Sequence, residues 1–235
     1  MVAGLKTMAK IPVIVLLGPP GSGKGTQAKE LQDTYPGWVH VSTGNLFRAE
    51  ISSGSPLGLS VKDILARGEL VSDDVTNKVF ESQVLKILDT KKVDALVLDG
   101  YPRTRAQAEY LMGMVARETR LGRPIPVELK VSESEVVGRL AGRWVNPRTG
   151  RVYHERLNPP KKAGVCDDDG QPLVQRSDDK PDVIRSRYKL YIEQRDGIVE
   201  GLQARDRLVG IQGEGPLDQV SVRLETVIGE LKKSS

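Results

Sequence analysis

The feature that most constrains this chain is a glycine-rich turn placed directly after an apolar segment. The segment IPVIVLL (Ile11–Leu17) is rich in β-branched residues, and GPPGSGKGTQAKELQDTY follows it as a loop and a helix. A buried strand that ends in glycine and proline is typical of a parallel sheet. Backbone N–H groups converge in such a turn, and the positive end of the helix dipole favours an anion there. The segment therefore predicts a phosphate-binding loop.

One position in this loop departs from the usual pattern G-x-x-x-x-G-K-[ST], in which the last hydroxyl binds Mg²⁺. Gly25 follows Lys24 here, and Thr26 comes one place late. We expect Lys24 to reach the β- and γ-phosphates and Mg²⁺ to be held mainly by phosphates and water. Asp99, which ends the second buried segment DALVLDGYP, is the candidate carboxylate for binding the metal through water. A turn or helix-cap role is the alternative for Asp99.

The rest of the chain alternates between strand-like and helix-like segments. This order favours a doubly wound parallel sheet with right-handed crossovers. TGNLFRAEISSG is predicted to be a helix that stops at Gly54, and Ser72 is predicted to cap the helix SDDVTNKVFESQVLKILD. From Trp144 to Pro181 the sequence becomes rich in proline, glycine and aspartate. That stretch is too long for an ordinary loop and predicts an inserted small subdomain.

Composition narrows the class of protein only moderately. The net charge of +4 and the pI near 9.1 favour an anionic ligand but do not separate a nucleotide from a nucleic acid. An aromatic content of 4% argues against a nucleic-acid binder. The single cysteine, Cys166, excludes an intramolecular disulfide and indicates a reducing compartment. The apolar run after Lys10 lacks a cleavage site, so we interpret it as a strand and not as a signal peptide.

Five motifs occur in order along the chain: GPPGSGKGT, STGNLFR, LDGYPRTRAQ, GRLAGRW and VQRSDDKPDVIRSR. Together they resemble the adenylate kinases, over nearly the whole chain from Ile11 to about Gly215. The Gly-Lys-Gly-Thr form of the loop is typical of nucleoside monophosphate kinases. The resemblance implies a P-loop NTPase-like α/β fold: a five-stranded parallel sheet flanked by helices, an AMP-binding helical insertion and a small β-rich lid.

The resemblance also implies a division of the chain into three parts. The core would comprise residues 1–41, 72–141 and 180–235, the NMP-binding subdomain residues 42–71, and the lid residues 142–179. So long a lid resembles the long-lid adenylate kinases and disfavours the short-lid pyrimidine monophosphate kinases. Family likeness further implies a cytoplasmic monomer with ATP, AMP and ADP as partners, and with no nucleic acid or membrane.

The implied reaction is reversible phosphoryl transfer from Mg-ATP to AMP, which gives two ADP by direct in-line transfer. Bringing two sets of phosphates together requires fixed cations more than acid or base groups. Arginine suits this through its permanent charge and forked donors. The catalytic residues implied by the resemblance are Lys24, Arg103, Arg143, Arg176 and Arg187. Two alternatives stay open: a GTP:AMP phosphotransferase of the same family, and a non-catalytic nucleotide-binding regulator.

The resemblance assigns contacts for each substrate, with Arg139 against the ATP adenine and with Thr43 and Gln107 at the AMP adenine. The implied ATP-binding residues are Gly21, Ser22, Gly23, Lys24, Gly25, Thr26, Arg139, Arg143, Val152, Tyr153 and Gly215. The implied AMP-binding residues are Thr43, Arg48, Glu69, Leu70, Val71, Gly100, Tyr101, Pro102, Arg103, Gln107, Arg176 and Arg187.

Some residues depart from the family pattern. Asn45 stands where the family usually has aspartate, and we expect it still to cap a helix. Some long-lid members bind zinc through cysteines, whereas the corresponding positions here are Asn146, Thr149, Cys166 and Asp169. One thiol among such side chains is a poor tetrahedral zinc set, so we expect a hydrogen-bonded lid and no structural zinc.

Two further pairs of residues carry hypotheses. Asp178 and Asp179, at the exit of the lid, are expected to pair with lid or core arginines and so to bias opening; a role at a helix start is the alternative. His40 and His154 are interpreted as packing residues of a strand and of the lid, and not as catalytic bases.

Overall fold

The computed structural model describes residues 10–233 and contains seven strands, eight α-helices and one 3-10 turn at Ser177–Asp179 within that range. The strands are β1 (Ile11–Leu17), β2 (Trp38–Ser42), β3 (Ala95–Asp99), β4 (Leu121–Lys130), β5 (Arg143–Val145), β6 (Val152–His154) and β7 (Val209–Gln212). The helices are α1 (Lys24–Thr34), α2 (Thr43–Ser53), α3 (Pro56–Ala66), α4 (Asp73–Thr90), α5 (Arg105–Arg117), α6 (Glu133–Ala141), α7 (Pro181–Gly201) and α8 (Leu217–Lys233).

The main sheet has five parallel strands in the order β2-β3-β1-β4-β7, so the predicted fold class is confirmed. Asp99 at the end of β3 lies level with Leu16 of β1 on one side and with Ser42 of β2 on the other. The carboxyl ends of these three strands therefore meet at one edge of the sheet, where ligands of such sheets bind.

Apolar side chains cover both faces of the sheet. Alternate residues of β1 point to opposite faces, so Val15 packs in a cluster with Phe80 of α4, and Ile14 packs in a second cluster with Leu31 of α1. The first cluster also holds residues of α5 and α7, and the second holds residues of α8 such as Leu224. Burial on both faces explains why β1 reads as a continuous apolar run.

Strand β4 is longer than its predicted segment VELKVS and contains two prolines. It pairs with β1 from Leu121 to Glu128, but with β7 only from Val127 onward. Pro124 and Pro126 are two residues apart, so their missing N–H groups face the same side of the strand. Because that side has no partner strand in this part of β4, the prolines interrupt no ladder.

Two insertions carry small apolar clusters of their own. In the α2–α3 segment the cluster is built on Phe47, Val61 and Val71. Between residues 142 and 179, β5 and β6 form an antiparallel hairpin, and Tyr153 and Cys166 pack in a cluster with Leu173. Residues 1–9, which the sequence assigned to the core, lie outside the described residues.

The ends of the helices confirm one prediction of the sequence analysis and correct two others. Gly54 ends α2 in a left-handed conformation, as predicted. Ser72 occupies the N-cap position of α4, but its side chain makes no capping hydrogen bond. The predicted capping role of Asn45 is wrong, because Ser42 is the N-cap of α2 and accepts from the Asn45 N–H.

No helix within residues 10–233 is both long and apolar enough to cross a membrane.

Candidate nucleotide site

The loop between β1 and α1 has the backbone geometry of an anion cradle. Gly21 and Gly23 have φ angles of 80° and 98°, in the left-handed region that other residues adopt only with strain. Gly23 is also the N-cap of α1, so the N–H groups of the first turn of that helix are open toward the loop. The predicted phosphate loop therefore has the conformation that its glycines imply.

Lys24, the first residue of α1, turns back across this loop. Its ammonium group donates to the Gly18 carbonyl at 2.7 Å and to the Pro19 carbonyl at 2.8 Å. Burial, together with the positive charges of nearby arginines, lowers the pKa of Lys24 to about 8 against the opposing effect of Asp99. The ammonium is thus held in the loop at an electrostatic cost that a bound phosphate would remove.

Asp99 explains why glycine follows the loop lysine. A Cβ atom on Gly25 would lie 3.2 Å from Asp99 Oδ2, so a serine or threonine there would crowd the carboxylate. Burial alone would raise the pKa of Asp99, but the hydrogen bond from His40 and the charge of Lys24 lower it to about 2. Asp99 is therefore ionised at neutral pH. His40 lies on the neighbouring strand β2, and its Nε2 is 3.4 Å from Asp99 Oδ2.

Arginines from several elements surround the end of the loop. Arg48 comes from α2, Arg103 follows β3, Arg143 begins β5 in the lid, Arg176 precedes the turn at residues 177–179, and Arg187 lies on α7. Each of them is half-buried, and each lies close enough to others of the set for their charges to interact. Elements far apart in sequence thus contribute to a single positive site.

This positive site is electrostatically unfavourable without an anion. Burial and then neighbouring charges lower the pKa of Arg103 and of Arg176, although guanidinium groups stay protonated at neutral pH. The Nε atom of Arg176 is buried and has no hydrogen-bond partner among residues 10–233. A buried donor without an acceptor is costly, so the site favours a ligand with anionic oxygens.

Asp178 and Asp179 pair with the arginines of this site. Asp179, which is buried, accepts two hydrogen bonds from Arg143, at 2.8 Å and 2.5 Å. Asp178 lies 2.8 Å from Arg187 Nη1 and therefore holds an arginine of the core. The predicted pairing of these aspartates with lid and core arginines is present, whereas their effect on opening stays a hypothesis.

A second cleft opens beside Arg103, and most of the predicted AMP-binding residues line it. Thr43 donates from its hydroxyl to the Gly100 carbonyl at 2.7 Å and closes one side. The lining residues are Thr43, Gly44, Phe47, Leu65, Glu69, Leu70, Val71, Thr76, Gly100, Arg103 and Gln107. Sequence reasoning missed Gly44, Phe47, Leu65 and Thr76; the position of Gly44 and Phe47 inside the motif STGNLFR was the one available signal.

Some predicted contact residues point away from the clefts. Tyr101 is buried, stacks on Phe80 and donates to Asn77 Oδ1 at 2.7 Å, so its ring belongs to the core. Neither Tyr101 nor Pro102 is among the residues that line the second cleft, beside Arg103. In the lid, Tyr153 is buried against Cys166, while Val152 is exposed.

Arg139 lies between the phosphate loop and the segment after β7. Its guanidinium donates to the Gly213 carbonyl at 3.0 Å and to the Ser22 carbonyl at 3.4 Å. Glu135, one turn earlier on α6, accepts from Arg139 Nε at 2.8 Å and fixes the side chain. The flat guanidinium therefore stands between the loop and the Gly213–Gly215 segment, where a donor base was expected.

The lid positions that were compared with zinc ligands are joined by hydrogen bonds. Asn146 Nδ2 donates to both oxygens of Asp169, at 2.8 Å and 2.9 Å, and Asn146 Oδ1 accepts from the Thr149 N–H at 3.2 Å. The Cys166 thiol meets the Tyr153 hydroxyl at 3.5 Å. The expected hydrogen-bonded lid is present, and the absence of zinc stays a prediction.

His154 has a structural role in the lid, whereas His40, expected to be a packing residue, also lies within hydrogen-bond distance of Asp99. His154 accepts at Nδ1 from the backbone N–H groups of Arg156 and Leu157, both at 3.1 Å, and so shapes a turn of the lid.

The parallel sheet, the glycine-rich loop with its lysine and the convergent arginines define a P-loop protein that binds phosphorylated ligands. Residues 16–207 match the family model described as adenylate kinase. The adenylate kinase of Anaeromyxobacter sp. (strain Fw109-5) is 43% identical over 204 residues, which are 86% of this chain and 92% of the relative.

Two further relatives match this chain over most of its length. The adenylate kinase of Thermosipho melanesiensis is 42% identical over 217 residues, 92% of this chain and 98% of the relative. That of Pyrococcus furiosus is 36% identical over 219 residues, 93% of this chain and 96% of the relative. The chain belongs to the adenylate kinase family, so it is a phosphotransferase, and its reaction is the reversible transfer of a phosphoryl group from ATP to AMP.

Proposed function

We propose that this chain transfers the phosphoryl group directly and in line, with Lys24 and the arginines as its catalytic groups. The observation that carries the proposal is the convergence of Arg103, Arg143, Arg176 and Arg187 next to Lys24, with a buried Arg176 Nε that lacks a partner. A transferring phosphoryl group has anionic oxygens on every side and is stabilised by preorganised cations. These residues supply charge and position, and none of them acts as a nucleophile.

The donor is assigned to the phosphate loop and the lid. Residues 21–26 bind the phosphates of ATP, and Arg143 neutralises the transferred group from the lid side. Arg139 lies against the adenine, with Gly215 near its edge, because the guanidinium already stands between Ser22 and the segment at Gly213. Val152 borders the donor on the lid surface, and Tyr153 contributes through its backbone.

The acceptor is assigned to the cleft beside Arg103. Arg48 and Arg103 bind the AMP phosphate with Arg176 and Arg187, while Thr43 and Gln107 face the adenine. Val71 and Leu70 supply an apolar wall, and the Glu69 carboxylate is turned outward, where it accepts from Arg67 at 2.8 Å. Glu69 therefore serves AMP through its backbone.

Mg²⁺ fits the donor set at the edge of the sheet. Asp99 is an ionised carboxylate beside the phosphate loop, and Mg²⁺ prefers such oxygen ligands while keeping several waters. We propose that Asp99 holds the ion through water. When bound, Mg²⁺ neutralises charge on the phosphates of ATP.

The two insertions are proposed to move as subdomains, residues 42–71 over AMP and residues 142–179 over ATP. Their separate apolar clusters support this division: the lid cluster is built from lid residues alone, and only Val75 and Val79 of α4 add to the cluster of residues 42–71 among the described residues. Closure of both would exclude water and limit hydrolysis of ATP. We further propose a cytoplasmic monomer whose partners are ATP, AMP and ADP.

A coupled assay of ADP formation tests the reaction and the donor base together. AMP is the acceptor, and ATP, GTP, CTP and UTP are compared as donors. We expect a strong preference for ATP, and loss of activity in Lys24→Met, which also controls for a contaminating kinase. Preference for GTP would reassign the donor site, and nucleotide binding without transfer would overturn the catalytic proposal in favour of a regulator.

A further inference from the structure

The Gln107 side-chain amide is held at both of its polar atoms. Gln107 is buried, Nε2 donates to Asp73 Oδ1 at 2.7 Å, and Oε1 accepts from the Arg103 backbone N–H at 2.8 Å. The carboxylate of Asp73 can only accept, and a backbone N–H can only donate. A flipped amide would set oxygen against oxygen and N–H against N–H, so these two partners permit a single orientation.

Asp73 is itself fixed in place. It is the first residue of α4, and its Oδ1 also accepts from the Thr104 hydroxyl at 3.0 Å. Thr104 caps α5 by accepting from the Gln107 N–H at 3.1 Å. The starts of α4 and α5 are therefore joined by a closed set of hydrogen bonds through Asp73, and the carboxylate cannot turn away without breaking it.

The orientation of the amide matters because Gln107 lines the acceptor cleft beside Thr43 and Val71. A primary amide has two N–H hydrogens and two acceptor positions. Within residues 10–233, the two bonds described above are the hydrogen bonds of this amide. One N–H and one acceptor position of the amide therefore remain for a ligand.

That pair of groups matches one kind of purine edge. Adenine presents the N1 acceptor beside the N6 donor, whereas hypoxanthine and guanine present an N1–H donor beside the O6 acceptor. An amide locked with its N–H toward N1 and its oxygen toward the 6-substituent pairs with adenine and opposes a 6-oxopurine. A freely flipping amide would accept either.

We propose that Asp73 is a positioning residue that locks the Gln107 amide and thereby makes the acceptor site select a 6-aminopurine monophosphate. The proposal rests on the proposed contact between Gln107 and the acceptor base. Asp73 itself does not touch the nucleotide and acts through the amide. A buried polar group that lacks its proper partner rejects the wrong base strongly, which is the source of the selectivity.

The test compares AMP with IMP, because the two acceptors differ only at the base edge concerned. Asp73→Asn replaces the fixed acceptor by an amide that can accept or donate, with almost the same shape. Asp74→Asn is the matched control: it removes the same charge from the first turn of α4, and its side chain is exposed. Gln107→Leu, measured alongside, removes the amide altogether.

We expect the ratio of kcat/KM for IMP to that for AMP to rise about tenfold in Asp73→Asn, as loss of a charge-assisted hydrogen bond implies, and to stay unchanged in Asp74→Asn. Partial unfolding lowers both values alike and leaves the ratio intact. If Gln107→Leu raises the ratio but Asp73→Asn does not, the locking role is wrong while the base contact stands. If Gln107→Leu leaves the ratio unchanged, the base contact itself is wrong.

Discussion

Single residues in this site are tuned by charges that the sequence separates widely. Lys24, Asp99 and the arginines are spread along the chain between residues 24 and 187, yet their charges shift one another's pKa. The residue types could be predicted from the motifs, because each motif is local. The contact between Gln107 and Asp73 spans 34 positions and follows no periodicity, so the sequence carried no signal for it.

The pH dependence of kcat/KM for ATP should follow the protonation of the Lys24 ammonium group. Burial, with nearby arginines, lowers the pKa of this lysine to about 8, so the free enzyme loses the ammonium above that pH. We expect kcat/KM for ATP to fall above about pH 8, and kcat to fall only at higher pH, because bound phosphates raise the pKa. A kcat/KM that stays constant up to about pH 10 would contradict this assignment.

Arg176 should favour catalysis at the expense of stability. Its buried Nε lacks a partner, and neighbouring arginines repel it in the absence of substrate. We expect Arg176→Met to raise the free energy of unfolding of the substrate-free protein by about 1 kcal/mol and to lower kcat/KM by roughly 10³-fold. Urea unfolding and initial rates measure the two effects.

Arg185→Met provides the control for Arg176, because Arg185 is an exposed arginine on α7 whose ion pair, in the described part of the chain, is with the exposed Asp182. It should change neither quantity. Destabilisation by Arg176→Met in the absence of ligand would show that the arginine is not strained in the free site.

At the scale of elements, the order of strands and helices was predictable because each apolar run has a clear period and clear stop signals. The length of β4 was not, since Pro124 and Pro126 read as strand breakers until the neighbouring strands are known. The packing of α7 against the sheet was equally unpredictable from the sequence. Besides its apolar contacts, it uses Glu128, a buried carboxylate of β4 that accepts from Tyr191 and from Arg195.

Breaking this link should loosen α7 from the sheet. Burial by itself would raise the pKa of Glu128, but hydrogen bonds from Arg195 and Tyr191 lower it, so the carboxylate is ionised and needs its partner. We expect Arg195→Met to lower the free energy of unfolding by about 3 kcal/mol at pH 7.

The exposed Lys189→Met on the same helix should have no such effect on the free energy of unfolding. Because the pKa of Glu128 is lowered on folding, the contribution of the pair is present above the ordinary carboxyl pKa and is lost as the pH falls through the folded value. A loss of stability in Arg195→Met that persists unchanged in strong acid would contradict an ionic origin.

At the scale of the whole molecule, three parts of the chain meet at one positive site. The division into core and insertions was predicted from composition and resemblance, and pairing of Asp178 and Asp179 with arginines was expected, but which arginine each aspartate holds required coordinates. Asp179 holds Arg143 of the lid, and Asp178 holds Arg187 of the core. These pairs position the arginines before substrate arrives.

Removing both carboxylates should therefore impair the assembled site. We expect Asp178→Asn combined with Asp179→Asn to lower kcat/KM about tenfold, because Arg143 and Arg187 lose the groups that hold them. Asp182→Asn, whose side chain is fully exposed at the start of α7, serves as the control. Unchanged turnover in the double variant would count against any role of these pairs in catalysis or closure.

Direct transfer between two bound nucleotides is the central claim, and the stereochemistry of the transferred phosphorus tests it most directly. ATP made chiral at the γ-phosphorus with oxygen isotopes would be reacted with AMP, and the configuration of the product would be determined. A single in-line displacement among fixed cations predicts inversion. Retention would require two displacements through a phosphorylated enzyme and would contradict the roles given to Lys24 and the arginines.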